Sequence, residues 1–320
     1  MRIVMMGTGP FAVPTLEALV AEGHEIPLVI TRPLPPARGR RAGPVNPVRD
    51  WAEAAGLPIE APADINSSEA HELLKQIAAE LFVVCDYGQI LSSTTLKLAR
   101  LGGINLHGSL LPRYRGAAPV HWAVYHGEAE TGVTVIHMTP RLDAGPCLTR
   151  RITPIGPEET TEELEPRLAQ LGIDAVREAI SLLETLYGES SLGLPHSQAE
   201  ATRAPRLSRD DGRIDWRRSA TQIAAQVRAF QPWPGSFTFL PREGGAPLRL
   251  VLYRVRPEEG PAKPCEPGTV VSTENGELRI ATGEGELVVL ELQPEGKRRM
   301  AAADFLRGAP LVVGAKFDSA

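Results

Sequence analysis

Cysteine is scarce, with Cys85, Cys147 and Cys265 the full complement of a 320-residue chain. Odd in number and far apart, they exclude a disulfide framework, and without a CxxC pair they exclude a thiolate metal site. No apolar run approaches the roughly 18 residues that a membrane helix needs. No basic, apolar, cleavable leader and no Arg/Ser-rich transit segment comes before the first strand-like run, RIVMMG at 2–7. The expectation is a soluble, cytoplasmic, metal-free protein and a monomer. Hydrophobic residues make up 42% and charged residues 23%, a balance that fits neither a disordered chain nor a membrane protein. The length exceeds one ordinary core, so two domains, or a large α/β domain with an appendage, are expected.

A net charge of −5, from 34 basic and 39 acidic residues, argues weakly against a nucleic-acid partner, but the charge is unevenly spread. Residues 155–200 hold ten acids and two arginines. Five arginines fall in 31–50, six in 203–218, and a KRR run adds Lys297, Arg298 and Arg299. Basic patches of this kind can serve an anionic partner on one face while the total stays negative.

The first half alternates strand and helix signals. RIVMMG and EIPLVI read as strands, with a helix over 11–22 between them. Residues 31–45 carry four prolines and two glycines without periodicity, which predicts an exposed loop. Asn46-Pro47 opens a helix that Gly56 closes, and Asn66 with Glu69 has capping-box spacing before Leu73, Leu74 and Ile77. LFVVC, GGINLH and GVTVIHM are further strands, with a helix near 118–125, and a longer helix covers 160–186. This alternation predicts a Rossmann-like, doubly wound, mainly parallel sheet covered on both faces. Residues 188–205, rich in Ser, Gly and Pro, read as a linker. Beyond it, one helix (219–230) and short runs separated by glycine turns predict a small OB-like β-barrel. The domain expectation is therefore 1–187, linker 188–205, and barrel 206–320.

Ligands of open α/β sheets bind at the carboxyl ends of strands. GTGPFA at 7–12 has the outline of a dinucleotide turn, but Pro10 removes a donor and Ile30-Thr31-Arg32 ends the second strand without an acid, so a tight strand-to-helix turn is the stronger reading. Arg32 in that place could accept the extra phosphate of NADP. The denser cluster ends the GGINLH strand. Asn105 and His107, two apart, project to one face while Leu106 enters the layer behind. An amide donor and a group titrating near neutrality suit a developing oxyanion. The pair lacks a carboxylate, which Asp143, just beyond the neighbouring strand, could supply. His137, inside a strand, reads as a packed, hydrogen-bonded residue.

INLHGSLLPRYRGAAP at 104–119, YGQIL at 87–91 and LDAGP at 142–146 resemble the signature segments of the folate-dependent formyltransferase family. The resemblance implies Asn105, His107 and Asp143 as the catalytic trio. It implies Ser109, Leu110, Leu111 and Pro112, with Tyr87, Gln89, Ile90 and Leu91, as the border of a 10-formyltetrahydrofolate site. RLSRDDGRIDWRRSA (206–220), RAFQPWPGSFT (228–238) and LQPEGKRRMAAADFLRG (292–308) resemble the branch of that family whose acceptor is methionine on initiator tRNA. Arg38, Arg40 and Arg41 correspond to a loop set against the acceptor stem, and Lys297, Arg298 and Arg299 would add to the RNA contact. Asp86 and Arg141 stand where the family usually has a small residue and a glycine. The loop TRPLPPARGR at 31–40 is one residue shorter than usual. A sugar-amine formyltransferase, which shares the trio, is the alternative, and an NADP dehydrogenase would rest on GTGPFA and Arg32 alone.

Overall fold

The computed structural model of the chain describes residues 1–34, 45–185, 193–195, 197–242, 245–261 and 263–318. Arg38, Arg40 and Arg41 lie outside the described residues. Two compact units are distinguished: Met1–Pro119, Glu130–Pro154 and Leu164–Pro205 form the first, and Val120–Ala129, Ile155–Glu163 and Arg206–Ala320 form the second.

The elements of the first half are β1 (Arg2–Gly7), α1 (Val13–Ala21), β2 (Glu25–Ile30), α2 (Pro47–Ala54), β3 (Ile59–Glu60), α3 (Ser68–Ile77), β4 (Leu81–Cys85), α4 (Ser93–Leu96), β5 (Gly103–His107), β6 (Arg115–Gly116), α5 (Pro119–Tyr125), β7 (Glu130–His137), β8 (Cys147–Pro154), α6 (Thr161–Thr185) and β9 (Arg203–Ala204). Seven strands make one sheet in the order β3-β2-β1-β4-β5-β7-β8. The first five are parallel, as the βαβ alternation predicts, and the run Ile3–Met6 of β1 is fully buried, as a strand covered on both faces must be. The last two strands depart from that pattern. β7 runs antiparallel to β5, and β8, which the sequence pattern does not reveal, runs antiparallel to β7.

Local chemistry sets the helix starts. Asn46 caps α2 by accepting from Arg49 N at 3.1 Å, with Pro47 at the first position. The cap of α3 is Ser67, accepting from Ala70 N at 3.2 Å, and not Asn66. Asn66 instead joins two loops, its Nδ2 donating to Ile90 O at 2.9 Å and its Oδ1 accepting from Ser92 N at 2.7 Å. Leu106, on the face opposite Asn105, packs toward α6. A β-carbon added at Gly172 would stand 2.6 Å from a Leu106 methyl, so glycine is what allows this close approach.

The second unit contains α7 (Ala220–Ala229), β10 (Ser236–Arg242), β11 (Gly245–Glu258), β12 (Val270–Ser272), β13 (Leu278–Ala281), β14 (Glu286–Pro294), β15 (Met300–Ala301) and α8 (Ala302–Gly308). The helix α7 carries a full capping box between Ser219 and Gln222. The antiparallel sheet runs β10-β11-β14-β13-β12, with β15 beside β14. Its two ends are both bridged to the chain terminus: Phe239 of β10 to Asp318, and Thr269, just before β12, to Lys316. The sheet is thereby curled about a core that includes Trp216, Ile223, Leu250, Leu287 and Phe317, which is the barrel-like architecture that short strands between glycine turns predict.

Among the described residues no helix is long and apolar enough to cross a membrane, and no group of three or more His, Cys, Asp or Glu could hold a metal ion.

Candidate active site

Asn105 and His107 sit on β5 between β4 and β7: Asn105 is level with Val84 on one side and Ile136 on the other, and His107 is level with Thr134. Because β7 is antiparallel, its carboxyl end lies beside the start of β5. Residues 138–146 then return along the strand and bring Asp143 to His107. The His107 Nδ1 to Asp143 Oδ2 distance is 3.7 Å, and both side chains are more than nine-tenths buried.

Each partner is held by backbone. His107 Nε2 lies 2.8 Å from Tyr114 O. A carbonyl only accepts, so Nε2 carries a proton and Nδ1 is left toward the carboxylate. Asp143 Oδ2 accepts from Gly116 N at 2.9 Å. Asp143 itself has φ of 47°, a left-handed conformation uncommon for a residue with a side chain and frequent at functional sites. The turn that carries it is seated against β7: His137 N donates to Pro146 O at 2.9 Å, and a β-carbon on Gly145 would run into His137 O. His137 is packed as expected, with Nε2 2.9 Å from Leu101 O.

Asn105 is half-buried, and its side-chain amide has no hydrogen-bond partner among the described residues. The site thus holds an uncommitted amide, an imidazole with one nitrogen free of backbone, and a buried carboxylate. Together they can donate to an oxyanion and move a proton at one reacting centre.

The 109–116 loop is pinned by residues that motif reasoning missed. Ser109 Oγ donates to Arg113 O at 2.7 Å, which makes this serine a turn former. Thr134 Oγ1 donates to Ser109 O at 2.7 Å and accepts from Leu111 N at 3.1 Å. Arg150 donates to Leu111 O, and Tyr114 N donates to Thr202 Oγ1 at 2.8 Å. Ser109, Leu111 and Pro112 are buried and Leu110 is half-buried. In the 87–91 segment, Tyr87 and Leu91 belong to the apolar core under the sheet. Gln89 links two loops, accepting from Ile65 N at 2.9 Å and donating to Pro62 O at 3.1 Å. Ile90 is 56% exposed. Most of these residues therefore build walls, and Ile90, Leu110 and Gln89 are the ones that present side chain to solvent.

Two further carboxylates, Asp86 and Glu165, influence one another. Asp86 follows β4 and sits over Gly9, where its side chain occupies the space a β-carbon would take. A fixed negative charge over that turn is unsuited to a pyrophosphate, so GTGPFA acts as a tight turn, Gly7 being crowded by Ala12 and by Cys85 O. Glu165, near the start of α6, is pushed up to about 7 by burial and, secondarily, by the charge of Asp86.

In the second unit, Lys297, Arg298 and Arg299 occupy the turn between β14 and β15. Arg299 is engaged internally: its Nε donates to Glu291 Oε2 at 2.6 Å, and its guanidinium lies 4.6 Å from the centroid of Tyr253. Lys297 and Arg298 are exposed and form no ion pair among the described residues.

Comparison with known proteins matches the chain in two parts. Residues 1–180 match the family described as formyl transferase, and 206–310 match the formyl transferase C-terminal domain. A methionyl-tRNA formyltransferase from Rhodopirellula baltica is 50% identical over 322 residues, covering 98% of this chain and 96% of its own length. One from Moorella thermoacetica is 43% identical over 315 residues, covering 98% of each. Among solved structures, the sugar 3N-formyl transferase WlaRD, in the presence of dTDP and 5-N-formyl-THF, superposes with a TM-score of 0.64 at 17% identity, over 93% of this chain and 99% of its own. HypX from Aquifex aeolicus in complex with tetrahydrofolic acid gives a TM-score of 0.61 at 17% identity, over 96% of this chain and 47% of its own. At that identity both structures speak to the fold.

Proposed function

The chain belongs to the formyl transferase family, and from that premise we propose that it moves a formyl group from 10-formyltetrahydrofolate to the α-amine of methionine on initiator tRNA. The observation that carries the chemistry is the buried His107–Asp143 pair facing the same side of β5 as the uncommitted amide of Asn105. The acceptor follows from the relatives named above, whose likeness runs through both halves of the chain.

The amine attacks the formyl carbon, and the carbonyl oxygen takes on negative charge. Asn105 donates to that oxygen. His107, with Nε2 tied to Tyr114 O, has Nδ1 free to act as the second donor when protonated. Asp143, steadied by Gly116 N, accepts the proton lost by the attacking nitrogen, directly or through water. That proton goes to N10 of the folate as the carbon–nitrogen bond breaks, leaving tetrahydrofolate and the N-formyl amine. The residues of 87–91 and 109–112 form the folate border in this reading. Arg38, Arg40 and Arg41, with Lys297 and Arg298, are the residues assigned to RNA, whose phosphates reward clustered arginine and lysine.

The test is acceptor competition. With 10-formyltetrahydrofolate as donor, formylation is measured on charged initiator tRNA and on a nucleotide-linked amino sugar. The expected product is N-formylmethionyl-tRNA alone. Transfer to the sugar amine, with the tRNA left unmodified, would select the alternative reading.

A further inference from the structure

Arg32 follows the end of β2 by two residues and is exposed, and its guanidinium makes neither an ion pair nor a hydrogen bond among the described residues. Its position is nonetheless defined. Gly88, with φ of +80°, lies so close beneath it that an added β-carbon would stand 3.3 Å from Nη1 and 3.4 Å from Cδ. The side chain therefore crosses the 87–91 segment. Within that segment, Tyr87 has a buried hydroxyl with no hydrogen-bond partner, and burial pushes its phenol up while the charge of Arg32 acts in the opposite direction. This phenol stays a neutral donor at all ordinary pH values. Gln89 and Asn66 fasten the segment to residues 62–66, so the ledge is rigid, and Ile90 offers an exposed apolar side chain on it.

A free guanidinium on a rigid ledge, with an exposed apolar side chain nearby, suits a ligand that has an aromatic body and an anionic end. We infer that Arg32 binds the glutamyl carboxylates of the reduced-folate co-substrate, as a binding residue remote from the reacting atoms. This rests on the folate reading above. The carboxylate source is favoured over an RNA phosphate because Ile90, an exposed apolar side chain on the same segment, has no use beside a phosphate chain.

The experiment compares wild type, Arg32→Ala and Arg32→Lys in binding tetrahydropteroate, which lacks glutamate, tetrahydrofolate, and its triglutamate. The wild type should bind them in rising order. Arg32→Ala should lose about two- to fivefold on tetrahydrofolate, the range of an exposed ion pair, more on the triglutamate, and nothing on tetrahydropteroate. Arg32→Lys should recover part of the loss. The KM for Met-tRNA, its salt dependence and kcat at saturating folate should not move. Equal loss on all three ligands would make Arg32 merely structural, and a change confined to the KM for tRNA would assign it to phosphate. No change at all would make it solvated surface. Each of these overturns the inference while leaving formyl transfer intact, whereas a wild type that binds no reduced folate overturns both.

Discussion

At the scale of single residues, the proposed mechanism assigns the chemistry to Asn105, His107 and Asp143. Asp143→Asn keeps the acceptance from Gly116 N but removes the base. It should lower kcat by about 100- to 1000-fold with little change in either KM, as loss of a positioned general base does. Near-normal turnover with both substrates saturating would remove Asp143 from the mechanism. Glu165 allows a test of stability. Its carboxyl is pushed up to about 7 in the folded chain, against roughly 4.3 when unfolded. Between those values the native chain keeps a proton that the unfolded chain has released, so stability falls as pH rises from about 4.5 to about 7 and is level above. Glu165→Gln should abolish that slope, gaining on the order of 1–3 kcal/mol at pH 8 and nothing at pH 4.5. Thermal melts across this range decide it, and parallel wild-type and variant curves would count against the buried-acid assignment.

Elements carry the site, and they are unevenly legible in the sequence. The pairing of Asn105 with His107 on one face can be read from spacing alone, because a strand has a period of two. Asp143 can be named but not placed, since alternation does not tell whether β7 runs parallel or antiparallel, and it is the antiparallel course that returns residues 138–146 along β5. β8 escapes sequence reasoning because CLTRRITP is polar on its outer positions and carries two arginines, the pattern of an edge strand. Tyr114 and Gly116 act through backbone atoms, which leave no signature in side-chain identity. Thr134 looks like any strand threonine, yet it holds Ser109 and Leu111. Thr134→Val should cost about 1–3 kcal/mol through the unpaired groups it leaves and should also depress kcat, because the 109–116 loop supplies Tyr114 O and Gly116 N to the site. Ser219→Ala, which breaks the capping box of α7, should cost about 1 kcal/mol with kcat unchanged. Denaturant titration beside steady-state rates separates the two, and an activity loss at Ser219 equal to that at Thr134 would erase the distinction.

At the scale of the whole molecule, recognition of RNA is assigned to charge that net composition hides. Replacing Arg38, Arg40 and Arg41 by Ala should weaken use of Met-tRNA and flatten its salt dependence by roughly one slope unit for each phosphate no longer engaged, while folate affinity holds. Lys297→Ala with Arg298→Ala should act in the same direction. Arg299→Ala should act mainly on stability, because its guanidinium is engaged by Glu291 and Tyr253. An unchanged salt slope in the loop variant would move the RNA contact elsewhere. Formyl transfer to the aminoacyl end of tRNA by the β5 site can be followed in a single-turnover reaction with isotopically labelled 10-formyltetrahydrofolate and charged initiator tRNA, run with the wild type and with Asn105→Ala. Label should be recovered as N-formylmethionine from the wild type, and the rate in the variant should be lower by about 100-fold or more. Absence of labelled N-formylmethionine from the wild type, or an undiminished rate in the variant, would refute that assignment.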